Sequence, residues 1–218
     1  MITKEGLPRM KRAMIGLMAA GVSVLLLSAP AYASPTIPKG FLKYENKQAR
    51  KAFGSMDWQV TSDLAELGAL NACPKKTSTL HNALALRSAL GSGDSDFHVA
   101  EQVAVFKDAK AAKAVMAKYL ATVKACAKVK TAGGSPATYR ATPVSIGDEA
   151  FLVAHYSFKK DDVGYGERDV FARRGSAVIL YAVNGPYMTA KPKRKEFAPY
   201  EAAAKAMAKK VCQLPGVC

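Results

Sequence analysis

Three histidines, His81, His98 and His155, are the whole inventory of side chains that exchange protons near neutral pH in this 218-residue chain. None sits in a recognisable catalytic motif. His155 lies inside the apolar run FLVAHYSF, where a packed histidine on a strand is the simpler reading than a proton acceptor. No G-x-S-x-G elbow, H-E-x-x-H helix or glycine-rich phosphate loop occurs. Asp148-Glu149 has the chemistry of an acid–base pair. Neighbouring residues at a strand entry point in opposite directions, however, so a turn role is preferred. No catalytic residue, cofactor or metal is therefore assigned, and a hydrolase built on His155 is only a minor alternative.

The cysteines speak of compartment. Residues 1–33 have the three parts of a secretory signal: Lys4, Arg9, Lys11 and Arg12, an apolar run from Ala13 to Leu27, and the small-residue site Ala31-Tyr32-Ala33. The run is shorter than the ~20 residues of a membrane span. Cleavage is expected before Ser34, leaving a freely secreted chain of residues 34–218 whose formal charge falls from +15 to +12. Cys73, Cys126, Cys212 and Cys218 all survive, and an even count in an exported protein reads as two disulfides. Their spacing is too wide for a zinc motif, and no C-x-x-C is present. Of the three possible pairings, Cys73 with Cys126 and Cys212 with Cys218 is preferred. The first would staple the central helix, and closing its loop is worth on the order of 4 kcal/mol. Pairing of Cys73 with Cys212 or Cys218 stays open.

Lys191, Lys193, Arg194 and Lys195 form the densest run of charge, in a loop whose Pro192 favours an extended backbone. They are candidate anion-binding residues. The plainer reading is a solvated, solubilising face. No aromatic residues interleave with them, which argues against a specific single-stranded nucleic-acid partner. Phosphate-rich wall polymers or acidic lipids need only charge.

The elements that must position these groups centre on Glu101–Lys130. Val103–Phe106 is apolar on both faces, as an inner strand is. Asp108 is placed to cap the next helix. Ala112, Val115, Met116, Tyr119, Leu120, Val123 and Cys126 share one helical face, and Lys110, Lys113, Lys124 and Lys128 the other. Upstream, Lys39–Phe53 predicts a surface helix ended by Gly54, and Trp58 is assigned to packing rather than to a ligand wall. Residues 83–90 and 97–106 flank Gly91-Ser92-Gly93-Asp94 as a hairpin. Residues 150–158, 168–174 and 177–183 predict an antiparallel meander. A second helix starts near Pro199 and buries Ala203, Ala204, Met207 and Val211. Both halves thus end as strand, loop, helix and cysteine, a weak hint of internal symmetry.

The stretches VAVFKDAKAAKAVMAKYLATVKAC, IGDEAFLVAH and RDVFARRGSAVILYAVNG resemble the extracellular sensor domain of the actinobacterial kinase PknH and its secreted or lipoprotein relatives. The resemblance runs from about Trp58 onward. It implies helices flanking an antiparallel sheet, two disulfides and a cleft for an extracellular ligand, with no catalytic residue. The expectation is then one α+β domain, with a mostly antiparallel sheet of about five to six strands flanked by helices and held by two disulfides. Such a monomeric, secreted, non-catalytic module would take an unknown small extracellular ligand or, alternatively, dock on an anionic cell-envelope polymer.

Overall fold

The computed structural model describes residues 35–64, 82–94, 96–130, 136–157, 164–186 and 191–218. The expected signal segment, Cys73 and His81 lie outside these residues. Among the described residues eight strands form one antiparallel sheet: β1 (Asp57–Thr61), β2 (Ala85–Ser92), β3 (His98–Val105), β4 (Lys128–Lys130), β5 (Pro136–Val144), β6 (Glu149–Ser157), β7 (Tyr165–Arg174) and β8 (Ala177–Pro186). Their spatial order is β1-β2-β3-β8-β7-β6-β5-β4. After β3 the chain crosses to the far edge and meanders back, strand by strand, until β8 pairs with β3 in the middle. The count exceeds the expected five to six because β1, β4 and β5 read poorly as strands. β1 is short and mostly exposed, β4 has three residues, and Pro136 and Pro143 interrupt β5.

Two helices cover opposite faces. α2 (Ala109–Ala125) starts at Asp108, whose Oδ1 accepts the Ala111 N–H at 2.6 Å. Its buried stripe of Ala112, Val115, Met116, Tyr119 and Val123 packs on Leu86, Ala104, Phe171, Val178 and Leu180. α3 (Ala198–Lys210) presents Ala203, Ala204, Met207 and Ala208 to Val103, Val170, Ile179 and Tyr181 on the other face. A two-fold that relates antiparallel neighbours runs perpendicular to the sheet and would leave both helices on one side. The repeat read from the sequence is therefore one of composition, not of symmetry.

Lys39–Phe53 is not a surface helix. It breaks into 3-10 turns at Lys43–Glu45 and Lys51–Phe53 around the single turn α1 (Lys47–Arg50). Phe41, Leu42 and Tyr44 are buried beside α3, so the segment completes a core layer. The anchor is Glu101. Fully buried on β3, it accepts the Lys43 and Tyr44 N–H groups at 2.9 and 2.5 Å and the Tyr181 hydroxyl. Arg87 bonds Glu45 nearby, with both side chains about nine-tenths buried. Trp58 belongs to this layer, as expected of a packing residue: its ring centroid lies 5.6 Å from that of Tyr44 and 5.9 Å from that of Phe53, and the Arg50 guanidinium lies 4.9 Å from the indole. Gly91 is required beneath it, since a Cβ there would come within 2.9 Å of the indole.

The chain end is tied in as well. A disulfide joins Cys212 to Cys218, and the Ser176 N–H donates to the Val217 carbonyl at 2.9 Å. Gly175 turns at φ +55°, where a Cβ would overlap that same carbonyl. This is the one disulfide of the expected two that lies wholly among the described residues. Cys126 is fully buried and disulfide-bonded to a partner outside them.

Candidate functional site

The α3 face is covered unevenly. α3 packs on β7 and β8, so among the described residues the same face of β5 and β6 runs on past it without a helix. Alternation on β5 turns Thr138, Arg140 and Thr142 to this open side, and the register sets them opposite Tyr156, Ala154 and Leu152 of β6. The segment from Lys191 into the turn Arg194–Glu196 and on to buried Phe197 walls the other side. The result is a cleft of about 590 Å³ lined by these residues with Lys128, Lys191, Pro192 and Arg194. Its size falls in the range of small-molecule sites, roughly 300–1,000 Å³.

The lining has a polarity of its own. Leu152, Ala154 and Phe197 give an apolar floor, whereas Lys128, Arg140, Lys191 and Arg194 supply the charge, and among the described residues no carboxylate joins them. Arg194 is held by Glu201 at 2.9 Å. Among the described residues Lys128, Arg140 and Lys191 make no ion pair. Behind the floor, buried Arg168 donates to the carbonyls of His155 and Glu167, and its Nε lies 3.6 Å from the Glu196 carboxylate, which braces the walling turn.

The four candidate anion-binding residues are thereby divided. Lys191 and Arg194 line the cleft; Lys193 and Lys195 are exposed but do not. The loop is not extended throughout, because residues 194–196 coil into a 3-10 turn closed by Glu196, whose Oε1 accepts the Lys193 N–H at 2.8 Å. Lys128, Arg140, Leu152 and Tyr156 escape a reading of the sequence for site residues. The T-Y-R-A-T alternation of β5 carries a signal for them, but its prolines hide the strand.

The other sequence-derived candidates have structural places. Asp148 clamps a turn, accepting from Gly175 N–H, Arg173 and Arg174 at 2.8 to 2.9 Å. Glu149 lies 3.7 Å from Arg173, so the two carboxylates do not form an acid–base pair. His98 is exposed beside Ser92. His155 faces α2, stacked on Tyr139 at 4.3 Å and 3.9 Å from Glu167. Burial, with the nearby Arg168 charge, pushes it down to about 4 and leaves it neutral at pH 7. Beside it, Glu167 and Asp169 point the same way along β7, and Tyr119 donates to Asp169 at 3.2 Å. Burial raises both carboxyls, Glu167 to about 7, and the charge of Glu167 raises Asp169 further. Among the described residues no group of three or more histidine, cysteine or acidic side chains is placed to hold a metal.

An open antiparallel sheet with a helix on each face and, among the described residues, one end left bare defines an α+β domain with a lateral cleft. The profile of the PknH-like extracellular domain family matches residues 78–211, and the chain belongs to that family. Among solved structures, the crystal structure of the extracellular domain of PknH from Mycobacterium tuberculosis aligns with a TM-score of 0.53 at 15% identity, covering 82% of this chain and 100% of that one. At such identity the likeness is one of fold. No curated protein matches the sequence.

Proposed function

We propose that this chain is a non-catalytic ligand-binding or sensor-like module acting outside the cell, with the β5–β6 cleft as its binding site. The observation that carries the reading is the cleft itself: an apolar floor under a rim of cations, in a family of extracellular domains. His155, the minor hydrolase candidate, supports it from the other side, since a ring walled in by Tyr139 and held neutral is poorly suited to taking up protons. Residues 1–33 act as the signal, and residues 34–218 as the secreted domain; N-terminal sequencing of exported protein should begin at Ser34. Among the described residues no helix is long and apolar enough to cross a membrane. Docking on envelope polymers through charge alone is the weaker reading, because Lys191 and Arg194 turn to a shaped cleft while Lys193 and Lys195 stay outside it.

Native mass spectrometry of protein purified from culture medium tests the proposal. A retained small ligand is expected on the wild-type chain, lost when Thr142→Trp or Ala154→Phe fills the cleft. Thr142 is exposed, so the first change leaves the core intact. Equal retention by wild type and both variants would place the ligand elsewhere and defeat the assignment.

A further inference from the structure

The charges around the cleft narrow the class of ligand, provided that the cleft is the binding site. Lys128, Arg140 and Lys191 come from three separate segments, β4, β5 and the loop before α3, and reach one hollow to which the described residues contribute no carboxylate. Solvated surface lysines need no such convergence. Three like charges drawn together repel one another, and no ion pair among the described residues neutralises them. Directly beneath them the floor is apolar. Leu152 is only 6% exposed and Phe197 4%, while Ala154 leaves room where a larger side chain would fill the space.

We propose that the cleft takes an amphipathic phosphate, its headgroup among Lys128, Arg140 and Lys191 and its hydrocarbon body over Leu152, Ala154 and Phe197. A phosphate monoester carries about 1.5 to 2 negative charges near pH 7, closer to the charge of the three cations than the single charge of a carboxylate. Arg140 suits such a group because its planar guanidinium offers paired donors to two oxygens at once. An apolar tail would displace water from the floor, a gain that scales with the area covered. A bare anion would use only the rim and a neutral amphiphile only the floor. The ligand class comes from having both.

Isothermal titration with dodecyl phosphate, dodecanoate, dodecyl maltoside and inorganic phosphate, each kept below micelle formation, separates these terms. One dodecyl phosphate per chain is expected. It should bind at least about tenfold more tightly than each of the other three, and Arg140→Gln should weaken it by about tenfold while leaving dodecyl maltoside unchanged. Lys191→Gln should act in the same direction. Inorganic phosphate binding as tightly would show that the floor contributes nothing and overturn the proposal; so would dodecyl maltoside binding as tightly, or no binding of dodecyl phosphate. If dodecyl phosphate fails while Thr142→Trp still abolishes retention of the natural ligand, the ligand class falls and the cleft assignment stands. If Thr142→Trp leaves dodecyl phosphate binding unchanged, the cleft assignment falls with it.

Discussion

Glu101 shows how much one buried side chain can organise. Its carboxylate receives two backbone N–H groups of the N-terminal segment and a tyrosine hydroxyl, and burial raises its proton affinity against those bonds. Glu101→Ala would leave three donors unpaired, at a cost of about 3 kcal/mol. Urea unfolding should register that loss; a change below about 1 kcal/mol would contradict the anchoring role. Glu167 makes a different prediction. A carboxyl raised to about 7 in the fold holds its proton better there than in the unfolded chain. The stabilisation is present below the unfolded value of about 4.3 and is lost as pH climbs through about 7. His155 works oppositely: its folded value of about 4 makes stability rise between about 4 and its ordinary value near 6.5. The two overlap, so the clean observable is the difference between wild type and Glu167→Gln. The variant should gain stability relative to wild type from about pH 4.5 to 7 and stay level above that, as read from urea midpoints. A difference independent of pH would mean that Glu167 titrates normally.

Among the elements, α2 is legible in the sequence almost residue by residue, because a capping aspartate and a strict three-and-four spacing are local signals that packing then reinforces. Asp108→Ala should cost about 1 kcal/mol through the lost Ala111 bond, measurable as a lower melting temperature; no change would mean the helix start needs no cap. The hairpin and the meander are legible too, from apolar runs with glycines between them, although Gly91 and Ser92 belong to β2 and the residue with positive φ near the hairpin turn is Asp96. The N-terminal segment is not. Its apolar residues resemble the sparse stripe of a surface helix, whereas the structure places them in a core layer that exists only once Glu101 of β3 is in position. β5 is hidden by its prolines, and with it half of the cleft. Pro143 lies near the strand's end and Pro136 at its first residue, positions where a sheet tolerates a missing donor. Gly175→Ala is expected to destabilise more than an exposed glycine change ordinarily does, since the turn has positive φ and the Val217 carbonyl fills the space of the new methyl. A melting temperature equal to that of the wild type would contradict that packing.

At the scale of the whole molecule, the proposed function rests on what the described part of the sheet leaves uncovered. Eight strands are wider than one helix can roof, and α3 lies over β7 and β8, so β5 and β6 carry an open concavity at the side of the domain. The basic loop is visible in the sequence as charge. Its meaning is not, since only the fold brings Lys191 and Arg194 to Arg140 and Lys128, residues far away along the chain. The most direct measurement is amide chemical-shift mapping of isotopically labelled protein titrated with dodecyl phosphate below its micelle concentration. Saturable shifts gathered at Arg140, Thr142, Leu152, Ala154, Lys191 and Phe197 are expected if the cleft is the binding site. Shifts gathered instead around His98 and Asn184 on the opposite face, or scattered over the exposed lysines with no saturation, would contradict it.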